Sequence, residues 1–501
     1  MASTWILAID QGTTNTKALL IDDEGQTAFR ASAPLELLQP QPGYVEQDPL
    51  ALWQSVCRVA DECARYSAAH KANIAAIAIS NQRETAVTWR DTGEPVGNAI
   101  TWQCRRSAPV CDRLVERAPL IQRVSGLPLD PLLSATKWAW VLEQQPELRK
   151  QAESGRLRLG TVDSWLLYKL SGGRVHATDS TNASRTALLN LTSLEWDENL
   201  LALFGIPRKA LPELKPSSGF FAECTAIPEL AGVPIESMIG DSHAALVGHG
   251  CYEAGAVKAT YGTGSSLMML TRALVPDTKV LARTIAWSSP GDVRFALEGN
   301  IAMSGAAVQW VGEFLGLARP AEEAAELAAS VSDSAGAILV PAMVGLGAPH
   351  WDATARGVIA NLERSHTAAH LARAAVDAIA FQVADVLEAM EAAAGVDLPV
   401  LLADGGATRN SMLMQMQADM IGRPVHRSAQ EDLSARGAAM LAGMALGWWK
   451  SPANLAALPK DAEVFQPRMG AAQREKLRES WRLAVRRARL REPVEKGSKA
   501  C

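Results

Sequence analysis

The chain opens with an apolar run that stops at a carboxylate. Residues 6–9 read Ile-Leu-Ala-Ile and are followed by Asp10, by a polar turn with the sequence DQGTTNTK, and by a second apolar run over residues 18–21. Short apolar runs between turn residues predict β-strands, and a further turn at DDEGQ extends the pattern to a three-stranded meander over residues 5–35. Because a charge at the end of a buried strand is costly without a partner, Asp10 is a candidate functional residue.

A helical pattern follows the meander. In the segment DPLALWQSVCRVADECARYSAAH, Asp48 stands where a helix is capped and Pro49 at the first helical position. The apolar positions of this segment form one stripe at helical spacing: Leu52, Val56, Val59 and Cys63. The run IAAIAIS then predicts a buried strand that leads into NQRETAVTW, and residues 136–155 and 194–215 are predicted to be mainly helical.

The opening pattern recurs in the second half of the chain. GAVKATYGTGSSLMMLT predicts a strand, a turn of small residues and another strand, and VLLADGGATRNSMLMQMQADMIG predicts a strand, a turn and a helix with Leu413, Met416 and Met420 on one face. These repeats predict an α/β protein with two related domains that face one cleft. We expect the boundary near residues 246–254, which gives domains of residues 1–247 and 248–501.

Composition narrows the classes of function. The 501 residues are 48% hydrophobic and 21% charged, and the formal net charge of -5 argues against a nucleic-acid partner. The seven cysteines form no C-x-x-C pair, so neither a disulfide framework nor a zinc site is expected, and a reducing cytoplasm fits best. We find no secretion signal and no run of 18 apolar residues, and the basic segment WRLAVRRARLREPVEKGSK is predicted to be a solvated last helix, so no membrane partner is expected.

The turn after Asp10 suits phosphate chemistry. Gly lets a backbone approach a ligand closely, Thr hydroxyls and backbone N–H groups donate to phosphate oxygens, and a carboxylate holds Mg²⁺, usually through water. Lys17 would add a cation near the β- and γ-phosphates. The alternative is a plain β-hairpin with a polar turn, but three such turns in one chain favour a nucleotide cleft, and the absence of G-x-x-x-x-G-K-[ST] excludes a P-loop.

Four further residues are candidates for an acceptor site. Arg83 and Glu84 offer a donor and an acceptor to a ligand with several hydroxyls; a surface ion pair is disfavoured because neighbours on a strand face opposite sides. Trp102 could cover a carbon chain or pack in the core. Asp241 is either a general base or the cap of a helix that begins at Ser242. A helical position for His243 at the domain seam is favoured over a second base.

Ten motifs, in order and nearly from end to end, resemble the FGGY carbohydrate kinases, and among them most closely the glycerol kinases. They are DQGTTNTK, PGYVEQDP, ISNQRET, ITWQCRR, GTVDSWLLYKL, HATDSTNASRT, GDSHAAL, TYGTGSS, GLGAPHWDATARG and DGGATRN. The resemblance implies two domains of the actin-like, ribonuclease-H-like ATPase fold, with ATP and Mg²⁺ between them. It implies the reaction ATP + polyol → ADP + polyol phosphate.

The resemblance also implies roles for individual residues. It puts Asp10 at the magnesium and a set of residues around ATP: Thr13, Thr14, Asn15, Lys17, Thr263, Gly305, Gln309, Gly406 and Asn410. It puts Asp241, as the base, in an acceptor site with Arg83, Glu84, Trp102, Leu132, Ser242 and Ser266.

Three of the acceptor positions depart from the glycerol kinase pattern. That pattern has Tyr at the position of Leu132, Gln at that of Ser242 and an aromatic residue at that of Ser266. The acceptor is therefore either glycerol or a four- or five-carbon polyol or ketose, such as a tetritol, erythrulose, xylulose or ribulose. A non-enzymatic ATP-driven conformational or sensor protein is a remote alternative. The expected partner is the small-molecule substrate, and a homodimer and a homotetramer both stay open.

Overall fold

The computed structural model describes residues 3–458 and 461–490 as two mixed sheets with helices packed on them and between them. In chain order the strands are β1 Thr4–Gln11, β2 Asn15–Ile21, β3 Thr27–Pro34, β4 Glu46–Gln47, β5 Asn73–Asn81, β6 Val87–Arg90, β7 Ala99–Ile100, β8 Leu157–Gly160, β9 Ala177–Asp179, β10 Leu189–Asn190, β11 Glu195–Trp196, β12 Glu213–Lys215, β13 Ser218–Glu223, β14 Pro234–Gly240, β15 Val257–Tyr261, β16 Ser265–Thr271, β17 Ala282–Ser289, β18 Asp292–Ile301, β19 Ile338–Val340, β20 Val358–Ala360, β21 Leu401–Asp404, β22 Val425–Ser428 and β23 Ala462–Phe465.

The helices lie between these strands along the chain. They are α1 Pro49–Ala69, α2 Ala108–Leu114, α3 Ala118–Ser125, α4 Ser134–Gln144, α5 Pro146–Glu153, α6 Val162–Leu170, α7 Ser180–Ser184, α8 Glu198–Phe204, α9 Asp241–Gly248, α10 Gly305–Phe314, α11 Pro320–Ala329, α12 Ala368–Ala394, α13 Ser411–Ile421, α14 Leu433–Ala445, α15 Pro452–Ala456 and α16 Ala471–Arg489. Within the described ranges, none of these helices is long and apolar enough to cross a membrane.

The two sheets repeat one topology. The first has the order β3-β2-β1-β5-β14-β13, in which β1 to β3 form an antiparallel meander, β5 and β14 run parallel to β1, and β13 is antiparallel. The second has the order β17-β18-β16-β15-β21-β22-β23, with the same sequence of antiparallel and parallel pairs from β18 to β23. The predicted meander over residues 5–35 and the predicted repeat are therefore confirmed.

The opening strand is apolar from Trp5 to Ile9 because both of its faces are buried there. Leu7 and Ile9 pack into a core with α1, whereas Ile6 and Ala8 pack into a second core with α14. Side chains alternate between the faces of a sheet, so a strand buried on both sides has no polar positions until it ends. The strand ends at the edge of the cleft, where Asp10 follows Ile9.

Helices α9 and α14 fill the seam between the two sheets. Helix α14 comes late in the chain, yet it packs on the first sheet, and Ser237 on β14 donates a hydrogen bond to the carbonyl of Ala438 on α14 at 2.8 Å. The core at this seam also includes Met268 and Leu270 of the second sheet. The two sheets are therefore joined by a continuous apolar layer.

Local predictions differ from the structure in two places. Residues 194–215 are only partly helical, because Gly205 ends α8 in a left-handed conformation (φ 66°) and Pro207 and Pro212 bracket a short 3₁₀ turn before β12. The cap of α9 is Gly240, and Asp241 is already the first helical residue, one position earlier than expected.

The helix predicted from Asp48 is confirmed, with Pro49 at its start. The last predicted helix ends at Arg489, and residues 491–501 lie outside the described range.

Candidate active site

The parallel strands of the first sheet end at one edge, and two candidate residues, Asp10 and Asp241, lie there. Asp10 on β1 is in register with Ser80 on β5, whose hydroxyl donates to the Oδ1 atom of Asp10 at 2.8 Å. Asp241 follows β14 directly. Ligands of open α/β sheets bind at the carboxyl ends of the strands, so this edge is where a substrate is expected.

A cavity of about 790 Å³ opens at this edge and is lined by both halves of the chain. The first half contributes Asp10, Gly12, Lys17, Arg30, Arg83, Asp241, Ser242 and Ala245. The second half contributes Thr260, Ser266, Asp404, Gly405, Gly406, Thr408, Arg409 and residues 427–434. The Asp10 turn, the Gly405–Gly406 turn and Asp241 thus face one cleft, whereas the third predicted turn, residues 261–265, does not contribute to the lining.

Asp241 has the surroundings of a base. Its side chain is 39% exposed towards the cleft, and its Oδ1 atom lies 3.2 Å from Arg83 Nε and accepts a hydrogen bond from the backbone N–H of Ser242 at 2.6 Å. Burial by the cleft walls raises the pKa of Asp241 above its usual value, and Arg83 offsets part of that rise. A carboxylate with a raised pKa accepts a proton more readily, while its open face remains accessible to a ligand.

Arg83 and Glu84 are not a surface ion pair. Arg83 reaches Glu298 Oε1 on β18 at 2.8 Å as well as Asp241. Glu84 is buried and accepts from Arg185 Nε at 2.6 Å, and its backbone is left-handed (φ 59°). A non-glycine residue in this conformation is uncommon and must be held by its surroundings.

A buried lysine holds the backbone at Glu84. Lys137 Nζ donates to the carbonyl oxygen of Glu84 at 2.9 Å and to that of Leu132 at 2.5 Å. Leu132, whose side chain is half-buried against the neighbouring core, is thereby tied to Glu84. Burial lowers the pKa of Lys137 to about 7, against the opposing attraction of Glu84.

Lys137→Met should make the stability of the protein less dependent on pH. Between about pH 7 and the unfolded-state pKa near 10.4, the folded wild type binds fewer protons at this site than the unfolded chain, so its stability rises with pH by up to about 1.4 kcal/mol per unit. Urea midpoints of wild type and Lys137→Met, measured between pH 7 and 9, should diverge in favour of the wild type. A constant difference across this range would contradict the low pKa.

Trp102 is not a core residue. Its side chain is 37% exposed, and its indole N–H donates to the hydroxyl of Thr13 at 3.0 Å. The backbone oxygen of Thr13 in turn accepts from Gln47 at 2.7 Å. The bond from Trp102 connects the predicted acceptor site to the predicted phosphate turn.

The two serines that depart from the glycerol kinase pattern lie together. The hydroxyls of Ser242 and Ser266 are 3.1 Å apart, and the buried Lys258 donates to Ser242 at 2.6 Å. Burial lowers the pKa of Lys258, although nearby carboxylates, Asp404 first among them, oppose that shift. This hydroxyl-lined wall borders the cavity beside Asp241.

The predicted phosphate cation is paired across the cleft. Lys17 Nζ lies 2.8 Å from Asp432 Oδ1, and Arg30 Nε lies 3.0 Å from the Oδ2 atom of the same residue. Opposite them, Gly405 has φ 97°, and a Cβ atom there would stand 2.4 Å from the carbonyl oxygen of Tyr261. Only glycine fits this turn, which keeps the backbone of Gly406 open to the cavity.

Two more of the predicted nucleotide residues contact each other, but neither they nor Thr13 line the cavity, and a further four lie apart from it. The carbonyl of Thr263 accepts from the backbone N–H of Ala306 at 3.0 Å, which brings the Thr263 turn against Gly305 at the start of α10. Gln309 donates to Glu313 on the surface of α10, and Asn410 caps α13. Thr14 and Asn15 form the exposed tip of the first hairpin. The cavity lining, drawn from residues 3–458 and 461–490, includes none of these last four side chains.

The surroundings of Asp10 fit a divalent cation held mainly by other groups. Burial raises the pKa of Asp10 to about 6; the hydrogen bond from Ser80 opposes this, and Asp241 and Asp432 add to it. The described part of the chain holds no cluster of three or more His, Cys, Asp or Glu that could bind a metal alone. A carboxylate at the edge of an open cleft suits Mg²⁺, which keeps several waters and binds substrate phosphates.

Several residues of this site had no sequence signal strong enough to identify them. Glu298, Arg185, Lys258 and Asp432 act through partners that are far away in the chain. A charge inside an apolar strand, as in RFALEGNIA, is the one feature that marks Glu298 in the sequence. The buried Lys137, the second residue of the segment predicted to be helical over residues 136–155, had no comparable mark.

The structure is similar to the solved structures of two-domain kinases. The structure superposes on the crystal structure of Plasmodium falciparum glycerol kinase with ADP with a TM-score of 0.92 and 30% identity, covering 98% of this chain and 99% of that one. The ligand-bound xylulose kinase from Lactobacillus acidophilus, at 22% identity and a TM-score of 0.86, shares the fold. The chain is a two-domain kinase of the actin-like, ribonuclease-H-like ATPase fold, as predicted.

Sequence comparisons give the family. The N-terminal domain of the FGGY family of carbohydrate kinases matches residues 5–248, and its C-terminal domain matches residues 257–446. The chain is 46% identical over 490 residues to glycerol kinase from Symbiobacterium thermophilum (97% of this chain, 98% of the relative) and 45% identical over 495 residues to that from Carboxydothermus hydrogenoformans (98% and 99%). The chain therefore belongs to the FGGY carbohydrate kinases. It is a glycerol kinase-like phosphotransferase that uses ATP and an alcohol group as acceptor.

Proposed function

We propose that this enzyme transfers the γ-phosphoryl group of ATP to a terminal hydroxyl of a small polyol, with Asp241 as general base. One observation carries the proposal: Asp241 and Arg83 line the same cavity as the two phosphate turns, which contribute Gly12 and Gly406. A base and a phosphate cradle on facing walls are what in-line transfer to a hydroxyl requires.

We assign ATP binding to the residues whose positions match the nucleotide site of the FGGY carbohydrate kinases. The set is Thr13, Thr14, Asn15, Lys17, Thr263, Gly305, Gln309, Gly406 and Asn410. Of these, Lys17 and Gly406 line the cavity. Lys17 Nζ has three N–H donors, so it can bond a phosphate while it keeps its bond to Asp432.

On the acceptor side, Arg83 and Glu84 hold substrate hydroxyls, and the exposed face of Trp102 covers the carbon chain. Asp241 accepts the proton of the attacking hydroxyl at its carboxylate. Mg²⁺, with Asp10 as its protein ligand, would supply charge neutralisation at the phosphates. Closure of the cleft excludes water and so limits hydrolysis of ATP.

Glycerol is the first candidate acceptor, because the relatives that match this chain over nearly its whole length at about 45% identity are named glycerol kinases. The hydroxyl-lined wall of Ser242 and Ser266 favours a second candidate, a four- or five-carbon polyol or ketose. A site built to bond an additional hydroxyl discriminates against a ligand that lacks it, because its polar groups are left unpaired.

Steady-state kinetics with glycerol, the tetritols, erythrulose, xylulose and ribulose test the proposal. We expect one of these acceptors to stimulate ADP formation more than about tenfold. Ser266→Phe should lower kcat/KM for the longer acceptors relative to glycerol by about tenfold, since one added aromatic ring fills the space of an extra carbon. Stimulation by no acceptor would refute the proposed function. A tenfold lead for glycerol in the wild type would reject the second candidate.

We propose a hinge near residues 246–254 that divides residues 1–247 from 248–501, and a cytoplasmic site of action. The proposal for the compartment rests on the seven scattered cysteines, which include no C-x-x-C pair.

A further inference from the structure

Five charged side chains of alternating sign form a chain through the acceptor site. Glu84 Oε1 meets Arg185 Nε at 2.6 Å, and Arg185 Nη1 meets Glu298 Oε2 at 2.6 Å. Glu298 Oε1 meets Arg83 Nη1 at 2.8 Å, and Arg83 Nε meets Asp241 Oδ1 at 3.2 Å. The two ends of this chain are proposed acceptor-site residues, and its centre is Glu298.

The central carboxylate comes from the other half of the protein. Glu298 lies on β18 of the second sheet, whereas its four companions lie in the first half, on the loop after β5, after α7 and at the start of α9. It is fully buried, and it remains charged because Arg185 and then Arg83 outweigh the effect of burial and hold its pKa well below the usual value. His243 and Lys258 are the further titratable groups that act on this cluster.

Each arginine is shared between two carboxylates, and Glu298 is the partner they have in common. A planar guanidinium can hold two carboxylates in a fixed geometry, so Glu298 sets the direction from which Arg83 approaches Asp241 and Arg185 approaches Glu84. Close packing supports this placement, because a Cβ atom at Gly240 would stand 2.8 Å from the Cγ and Cδ atoms of Arg83. Without the negative charge of Glu298, both arginines lose a charged partner in a buried site, and their geometry is no longer fixed from this side.

We infer that Glu298 is a positioning residue for acceptor binding, which holds Arg83 directly and Glu84 through Arg185 from across the domain seam. The acceptor pocket therefore has its working shape only while the two halves keep this arrangement. The inference rests on the proposed function, since it assigns the geometry of the same site.

Glu298→Gln is the direct test. Glutamine keeps the size of the side chain but presents an amide NH₂ group, a donor, to an arginine that needs an acceptor. We expect the acceptor KM to rise at least about tenfold, with a smaller change in kcat and with ATP affinity in the absence of acceptor unchanged within about twofold, measured by titration calorimetry. Asp292→Asn on the same strand removes an exposed carboxylate whose ion-pair partner is Arg294, and it should leave both constants unchanged.

A second variant covers the case in which Glu298→Gln does not fold. Arg185→Lys keeps the positive charge, but a single ammonium cannot hold Glu84 and Glu298 in the same fixed geometry. It too should raise the acceptor KM while ATP binding stays intact. An unchanged acceptor KM in folded Glu298→Gln would overturn the inference but not the proposed function. If Glu298→Gln is insoluble, an unchanged acceptor KM in Arg185→Lys would do the same. A wild-type enzyme that no polyol stimulates would overturn the proposed function and the inference together.

Discussion

Asp241→Asn should lower kcat by about 10²–10⁴-fold and leave ATP binding intact. The amide has the size of the carboxylate and can still accept from the N–H of Ser242, which bonds Oδ1 at 2.6 Å in the wild type. It cannot accept the proton of the attacking hydroxyl. Rapid-quench measurement of phosphoryl transfer, with calorimetric ATP titration of the same preparation, separates the chemical step from binding.

The control for this variant is Asp292→Asn, which also exchanges a carboxylate for an amide but lies on an exposed end of β18. It should retain wild-type turnover. If Asp241→Asn kept more than a few per cent of wild-type kcat, Asp241 would not be the base, and the role of the cleft would reduce to positioning and charge stabilisation.

Gly437→Ala should destabilise the protein by about 2–3 kcal/mol. Helices α9 and α14 cross so closely that a Cβ atom at Gly437 would stand 1.8 Å from the carbonyl oxygen of Ala244, and one at Gly248 would stand 2.3 Å from that of Leu433. The sign of the stability change is informative, because a Gly→Ala exchange inside an unobstructed helix is stabilising by roughly 0.5–1 kcal/mol. Calorimetric thermal unfolding would show the lowered transition.

Gly97→Ala is the matched exchange for that comparison, since no atom lies within 4 Å of a Cβ at this exposed position. Its transition should stay within about 1 °C of the wild type. An unshifted transition in Gly437→Ala would mean that α14 can move away from α9 at little cost, and that the seam is looser than its packing indicates.

The sequence was sufficient for features that depend on near neighbours. Asp48 and Pro49 start a helix through local bonds and a fixed φ angle, and the apolar run before Asp10 predicts a strand buried on both faces. The prediction that residues 194–215 are mainly helical is wrong, because one left-handed glycine and two prolines interrupt the helical spacing of the apolar residues. The spacing of apolar residues does not register a single glycine or proline that ends a helix.

The acceptor site depends on contacts that no local pattern contains. Lys17 meets Asp432, 415 residues away, and Arg83 meets Glu298 after 215 residues. The sequence marked Arg83 and Asp241 as candidates from their local patterns and again through the resemblance, but the carboxylate between the two arginines became visible only when the second sheet was placed beside the first. The wall formed by Ser242 and Ser266 likewise exists only in the folded protein, because 24 residues separate its two hydroxyls.

The position of α14 on the first sheet has a consequence for how the protein is made. Its residues 433–445 cover the face of the sheet that carries Ile6 and Ala8, although that sheet has all six of its strands once residue 240 has been synthesised. At roughly 10 residues per second, a ribosome needs about 20 s more to deliver the helix. During that interval the nascent chain holds a complete sheet with one apolar face uncovered. The first half of this enzyme therefore cannot finish folding as an independent unit during translation and depends on the last fifth of its own chain.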